Sequence, residues 1–448
     1  MASSLLSPPS VLFIIFTLQL LVFIPPTFST SRRALHETSF RVALKHVDSG
    51  KNLTKFERLQ RGVKRGNHRL ERLINNMMAG LSSTQVTSPV HAGNGEFLMN
   101  LAIGTPPETY SAIMDTGSDL IWTQCKPCTK CFDAPTPVFD PKKSSSFSKI
   151  PCSNTLCKAL PTSDCGSDGC EYLYSYGDYS STQGILATET FTFDKVAVPA
   201  VGFGCGEDNE GSGFNQAGGL VGLGRGPLSL VSQLKKSKFS YCLTSINDDT
   251  SSENPTSTLA MGTLATETSN DSVFTTPLIK NPSHPSFYYL SLVGISVGDV
   301  DLPIKKSTFA VGSDGTGGMI IDSGTTITYL EESAFDLVKK EFVSQMKLDV
   351  DSSDSTGLDL CFELPADDGS GETTIEIPKL VFHFDGASLD LPGENYMIGD
   401  VKRGVVCLAM GSSSGISIFG NIQQQNMMVV HDLEKETLSF IPTKCDQL

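Results

Sequence analysis
The chain is poor in histidine and nearly devoid of tryptophan: 448 residues hold seven His and one Trp. Four of the histidines, His36, His46, His68 and His91, crowd toward the N-terminus. No Gly-x-Ser-x-Gly elbow occupies a strand-to-helix setting, so a serine hydrolase with a His base has little to be built from. No Asp, Glu, Lys or Arg precedes Arg32, and no Cys precedes Cys125. Beyond Ile24 no apolar run is long enough for a membrane span. The polar tail from Ile441 to Leu448 is neither a lipid-anchor signal nor an ER-retention tetrapeptide. Zinc is poorly served as well. Cys125-x2-Cys128-x2-Cys131 has ligand-like spacing, but no His or closely spaced fourth Cys completes the set. The expectation is no metal, no cofactor and no stable membrane anchor.

What is present begins with a leader. Val11 to Ile24 is apolar except for Thr17 and Gln19, and it runs into Pro25-Pro26 and the small residues Ser29-Thr30-Ser31. Its length suits a signal-peptide core, although the residues before it carry no Lys or Arg. Residues 1–30 are therefore read as a signal peptide and the protein as secreted. From Ser31 to Gln85 there are 12 Lys plus Arg against 4 Asp plus Glu, a balance of +8, whereas the remainder from Val86 carries 22 against 45, or −23. A basic stretch alone suggests nucleic acid. Placed between an export signal and an acidic body, it reads instead as a detachable pro-segment, residues 31–85 with the cut between 80 and 95, held by charge. Nucleic acid is not an expected partner. Leu53 to Met78 is helix-friendly, with Leu53, Phe56, Leu59, Val63, Leu70, Leu73 and Ile74 apolar.

All 12 cysteines lie in the acidic body, seven of them within residues 125–170. An even count behind an export signal reads as disulfides, whose pairing spacing alone does not choose. Two N-glycosylation sequons occur, at Asn52 and Asn270. Gly, Ser and Thr are abundant and short apolar runs alternate with turn residues, which predicts a mainly β protein. The length calls for two lobes, 86–276 and 277–448. Residues 125–170 read as a disulfide-held insert, Tyr172 to Phe193 as a return to β character, and the Ser/Thr-rich stretch Ser245 to Asn270 as a surface loop.

The chemistry is carried by a duplicated tetrad. Asp115-Thr116-Gly117-Ser118 and Asp322-Ser323-Gly324-Thr325 each follow an apolar run and each lead into a second β-prone run. One tetrad alone is an ordinary Asx-type turn. Two in the same setting present two carboxylates from related turns, able to share one proton. Gly117 and Gly324 permit the tight turn, while Ser118 and Thr325 can donate to the outer carboxylate oxygens. A second echo, Leu220-Val221-Gly222 and Ile418-Phe419-Gly420, supplies a Gly where another backbone must approach closely.

These tetrads, with Tyr176-Gly177 and Phe419-Gly420-Asn421 in the same order, resemble a pepsin-type aspartic protease. The Cys-x2-Cys-x2-Cys insert after Trp122, Gly202-Phe203-Gly204-Cys205-Gly206, and Ile418 through Asn426 make the chain similar to the nepenthesin-like plant members. The resemblance implies a bilobal β fold with a cleft, Asp115 and Asp322 as catalytic pair, and a substrate-binding flap near 172–186 that carries Gly177 and the flap tyrosine Tyr176, with Trp122 as its hydrogen-bonding neighbour. It also implies peptide substrates, pepstatin-type inhibitors, a monomer, and the apoplast or the vacuole as location. Six bridges follow from it as well: Cys125–Cys128, Cys131–Cys205, Cys152–Cys170, Cys157–Cys165, Cys242–Cys445 and Cys361–Cys407. Tyr179 departs from the family's flap, where Gly is usual. The rival expectation is a catalytically inactive, secreted binding or inhibitor protein on the same fold.

Overall fold
The computed structural model describes residues 39–79, 97–167, 169–176, 180–211, 214, 217–246, 257–266, 272–353, 356–365 and 375–448. The signal segment, the expected cut, Gly177, Tyr179 and Asn270 lie outside these residues. Asn52 is exposed in the turn before the first helix. Among the described residues no helix is long and apolar enough to cross a membrane.

The architecture is mainly β and two-lobed. In the N-terminal lobe β1 (Phe40–His46) is followed by α1 (Lys55–Ala79), β2 (Phe97–Ile103), β3 (Glu108–Asp115) and β4 (Trp122–Gln124). A long hairpin follows, formed by β5 (Gly169–Ser175), β6 (Ser181–Phe193) and β7 (Val196–Glu210), and then β8 (Gly219–Gly222), β9 (Lys238–Cys242) and β10 (Ser257–Met261). The C-terminal lobe uses β11 (Met319–Ile321), β12 (Thr328–Glu331), β13 (Ser417–Phe419), β14 (Met427–Asp432) and β15 (Thr437–Pro442) around its tetrad and lobe junction.

The duplication is visible in register. β8 runs parallel to β3 with Gly222 opposite Asp115, and antiparallel to β4. β13 runs parallel to β11 with Phe419 opposite Ile321, and antiparallel to β12. Asp115 thus ends its strand opposite a glycine, and Asp322 follows its strand by one residue, as Gly420 follows the parallel neighbour. A Cβ on Gly222 would strike the Asp119 carbonyl group, and one on Gly420 would strike the Ile327 carbonyl. Only glycine lets the supporting backbone pass so near.

The lobes are joined by one ladder. β1 pairs with β2 and β10, β10 with β9, β9 with β14, and β14 with β15. β10 corrects the reading of residues 245–270 as a loop. Ser257 and Thr258 are buried polar members of a strand, and Ser257 Oγ accepts the Thr244 N–H at 3.0 Å. The Ser257 hydroxyl is satisfied locally by Thr244, so composition concealed a core position.

α1 starts at a capping box. Thr54 N donates to the Glu57 carboxylate at 2.8 Å and Glu57 N to the Thr54 hydroxyl at 3.1 Å. Phe56, Leu59, Val63, Leu70 and Leu73 form its buried stripe, packed on Ile327, Tyr329, Leu358, Ile398 and Ile422 of the C-terminal lobe. At about 1.5–3 kcal/mol for each fully buried side chain, this packing anchors the helix.

Four of the implied disulfides are corrected. The structure pairs Cys125–Cys205, Cys128–Cys131, Cys152–Cys165 and Cys157–Cys170, in place of Cys125–Cys128, Cys131–Cys205, Cys152–Cys170 and Cys157–Cys165. The parallel β4–β7 ladder sets Thr123 opposite Cys205, and Cys125 N donates to Gly206 O at 2.8 Å, leaving Cys125 and Cys205 with Cα atoms 5.2 Å apart. Cys165 and Cys170 are directly opposed across a hairpin, yet Cys170 is buried and Cys165 exposed. Inner Cys157 therefore meets Cys170, and outer Cys152 meets Cys165. The remaining bridges are Cys242–Cys445 and Cys361–Cys407.

His431 on β14 is fully buried, stacked on Phe239 at 4.2 Å and edge-on to Tyr288 at 4.6 Å. Burial pushes its imidazole down to about 3 from 6.5. Below about pH 6.5 the unfolded chain therefore takes up a proton that the folded chain refuses until about pH 3, and stability is lost as pH falls through that window. His431→Phe should lose less stability than wild type on acidification, the difference being on the order of a few kcal/mol. Thermal melts at pH 3 and 6.5 check this: the variant's advantage over wild type should grow toward pH 3.

Candidate active site
The two tetrads face each other, and both Asp side chains are fully buried. Asp115 Oδ1 accepts the Gly117 N–H at 3.0 Å, and its Oδ2 accepts the Ser118 hydroxyl. In the second turn Asp322 Oδ1 accepts the Gly324 N–H at 3.1 Å, and its Oδ2 accepts the Thr325 hydroxyl at 2.5 Å. The turns also grip each other. Ser323 N donates to Thr116 Oγ1 at 3.1 Å, and the two hydroxyls lie 3.2 Å apart. Each carboxylate is thus fixed by its own turn, and each turn by its twin.

The glutamine-rich run after Gly420 forms the floor. Gln424 donates to Phe419 O at 2.7 Å and accepts the Tyr241 hydroxyl at 2.6 Å, which links the second turn to β9 of the other lobe. Gln423 Oε1 accepts from both Thr328 N and Thr328 Oγ1 at 2.8 Å, while its amide donates to Asn395 O and Ala409 O. Asn421 donates to Ser323 O at 3.1 Å. Buried amides are tolerated because these bonds satisfy them.

The arrangement contains a residue that sequence reasoning did not single out. Arg69 of α1 is buried between the two turns. Its Nη2 donates to Asp115 Oδ1 and, at 2.7 Å, to Asp322 Oδ1, while its Nε donates to Asp322 Oδ2. Burial works against its charge, but the Asp115 and Asp322 carboxylates outweigh burial and push its proton affinity further up. α1 reaches this depth because Gly62 and Gly66 face the C-terminal lobe. A Cβ at Gly62 would collide with the Thr326 side chain, whose hydroxyl donates to Gly62 O at 2.6 Å. The available signal was periodicity: Arg65 and Arg69, one helical turn apart, sit among apolar and glycine positions rather than on a solvent face. The diffuse attraction inferred from net charge is resolved into particular contacts. Lys51, Arg61 and Arg65 converge on Asp48 of their own segment, whereas Arg69 crosses to the dyad.

Trp122 and Tyr176 come together in a buried cluster of Asp115's lobe. The indole Nε1–H donates to the Tyr176 hydroxyl at 2.7 Å, and Phe214 packs edge-on against both rings at 4.8 and 5.3 Å. Tyr176 ends the β5–β6 hairpin, where its N–H donates to Ser180 O at 2.8 Å.

Comparison with known proteins decides the family. Residues 97–263 match the family model described as xylanase inhibitor N-terminal, and residues 287–442 the one described as xylanase inhibitor C-terminal. Aspartic proteinase nepenthesin-1 of Nepenthes gracilis is 52% identical over 453 residues, covering 99% of this chain and 99% of the relative. Nepenthesin-2 of the same plant is 51% identical, covering 94% of this chain and 95% of the relative. The chain belongs to the nepenthesin-like plant aspartic proteases. Like those relatives it is an aspartic endopeptidase, acting on peptide bonds. Basic 7S globulin from soybean shares the fold, with a TM-score of 0.58 at 19% identity over 78% of this chain and 93% of that one.

For this nepenthesin-like chain the Trp122–Tyr176 contact gives a direct test. Tyr176→Phe leaves a buried indole N–H without its acceptor and should lower stability by about 1–3 kcal/mol. Thermal unfolding of the variant beside wild type measures it.

Proposed function
We propose that the chain is the zymogen of a secreted acid endopeptidase in which Asp115 and Asp322 share one proton and activate a water. The observation that carries this reading is that a single guanidinium nitrogen, Arg69 Nη2, reaches both carboxylates. Carboxylates that close cannot both ionise cheaply without a cation, so once Arg69 leaves, one proton takes its place over a broad acidic range. The titration belongs to the pair. One carboxylate then draws a proton from the water, the water attacks the scissile carbonyl, and the other carboxyl donates a proton to the carbonyl oxygen; the resulting diol collapses as its C–N bond breaks, a further proton transfer from the pair to the nitrogen letting the amine leave. No covalent acyl-enzyme forms. Ser118 and Thr325, bonded to the outer oxygens, hold the pair in register, and Tyr176 of Asp115's lobe acts as the flap tyrosine.

On this reading residues 31–85 are the inhibitory pro-segment. It occupies the cleft in two ways, by the apolar stripe of α1 and by the Arg69 latch. As pH falls, protonation of the dyad removes the latch's partners while Arg69 stays charged. Because this contact is buried, salt weakens it far less than it weakens exposed pairs. Asp48 follows a similar course: burial would raise its pKa, but Lys51 and Arg65 bring it below 3.8. Its anchoring of the helix start is present above the unfolded value and is lost as pH falls through the lowered one. The leader and the paired cysteines support export to the apoplast or vacuole, and the fold supports pepstatin-type inhibition of a monomer.

A second reading has one observation in its favour, the inhibitor descriptions attached to both matching family models. An inactive binding protein on this fold has no need of both Asp residues, their hydroxyl partners and a cation to quench them. All of these are present here.

Two predictions test the proposal. Asp115→Asn and Asp322→Asn should each abolish acid peptidase activity while the melting curve stays cooperative. Residual pepstatin-sensitive turnover in either purified variant refutes the dyad. Arg69→Ala removes one partner of a buried ion cluster, a change that costs about 3–5 kcal/mol in such settings. The full-length variant should process and become active at higher pH than wild type, as followed by mass spectrometry across a pH series. An unchanged activation pH contradicts the latch.

A further inference from the structure
The residue that follows each tetrad breaks the symmetry of the site: it is Asp119 in the first lobe and Thr326 in the second. Thr326 turns to the pro-segment helix, where it donates to Gly62 O. Asp119 turns inward and is 8% exposed. Its Oδ1 accepts the Gly226 N–H at 2.9 Å, and its Oδ2 accepts the hydroxyl of Ser286, a residue on the approach to the second tetrad's lobe. Ser286 answers through its backbone, accepting the Arg225 N–H at 3.0 Å. Gly224 and Gly226 leave the carboxyl its room, since a Cβ on either would strike it.

The surrounding backbone leads directly to the dyad. Leu223 N donates to Asp115 O at 2.7 Å and Gly224 N to Ser118 O at 2.9 Å, while the Tyr288 hydroxyl of the second lobe donates to Leu223 O at 2.7 Å. A neutral Ser or Asn could make similar bonds at lower desolvation cost. A buried carboxyl four residues from Asp115 therefore calls for a reason beyond hydrogen bonding.

We propose that Asp119 is a positioning residue for the peptidase: through Gly226 and Ser286 it fixes the Asp115 turn against the C-terminal lobe, and its charge biases the proton shared by Asp115 and Asp322. The inference rests on the peptidase reading above. The groups facing Asp119 are Asp115 on its own turn and the Ser286 and Tyr288 hydroxyls from the second lobe, and Arg225 is the neighbour of Gly226 in the chain. Arg225 is engaged by Glu436 and by Ile279 O. Burial pushes the Asp119 carboxyl up, and the charge of Asp115 adds in the same direction against the two hydrogen bonds. Once ionised, Asp119 opposes loss of the dyad's last proton and so holds activity to higher pH. Thr326 supplies no such charge on the other side, which makes the bias one-sided.

The test has two arms on the full chain and its acid-treated form. Asp119→Asn keeps an acceptor for Gly226 and a partner for Ser286 while removing the charge. The alkaline limb of its kcat/KM profile should move to lower pH. Asp119→Ala loses both bonds, and kcat should fall about 10- to 100-fold with a smaller change in KM, the scale of a small misplacement of catalytic groups. The second arm needs no activity: thermal unfolding of Asp119→Ala, Ser286→Ala and the double variant forms a cycle that reads the tether between lobes. Non-additive effects and a shifted limb support the inference. An alkaline limb superimposable on wild type, or additive melting effects, overturns it. Wild type without peptidase activity at any pH defeats the proposed function instead, and the melting cycle still judges the tether.

Discussion
Two like-charged carboxylates brought into the same dry interior are the constraint around which this molecule is arranged. An ion without water is costly, and two of the same sign add repulsion to that cost. Four kinds of group reduce it. Backbone N–H groups of Gly117 and Gly324 reach the inner oxygens, Ser118 and Thr325 hydroxyls reach the outer ones, and the Thr116–Ser323 grip fixes the two turns relative to each other. The fourth is the Arg69 guanidinium, which brings the charge that polar groups cannot. One cation against two carboxylates leaves the cluster at a net charge of −1, the same charge that a single proton would give the pair on the proposed mechanism.

The β framework makes this encounter reproducible. Parallel pairing puts Gly222 opposite Asp115 and, one residue beyond Ile321 and Phe419, Gly420 beside Asp322. The ladder through β9 and β14 then fixes one lobe on the other. The two turns depart from symmetry in what they hold. On one side Asp119 bonds to Ser286 of the other lobe, while on the other Thr326 holds α1. Gln424, bonded to Tyr241, carries the floor of one turn to the opposite lobe.

Much of this was legible in the sequence because it is local. The duplicated tetrads, the apolar runs before them and the Leu220-Val221-Gly222 echo each encode a backbone shape within a few residues, and the family followed from their order. For Arg69 only half was legible: periodicity sets it off the solvent face of its helix, but its partners, 46 and 253 residues away, have no local trace. The strand Ser257–Met261 was hidden by hydroxyls that the fold satisfies internally. The disulfide pairing failed for a related reason. Whether Cys165 or Cys170 meets Cys157 depends on which face of a hairpin each occupies, and spacing carries no such information.

The most direct test of the central claim is a digest. Full-length protein, exposed to acid and then incubated with a denatured protein substrate at acidic and at neutral pH, should yield internal peptide cleavages only in acid, abolished by pepstatin, with the segment before residue 97 released over the same pH range. Sequencing the products by mass spectrometry reads both events at once. Cleavage undiminished at neutral pH with the segment still attached, or no cleavage in acid from a cooperatively folded protein, would contradict the account.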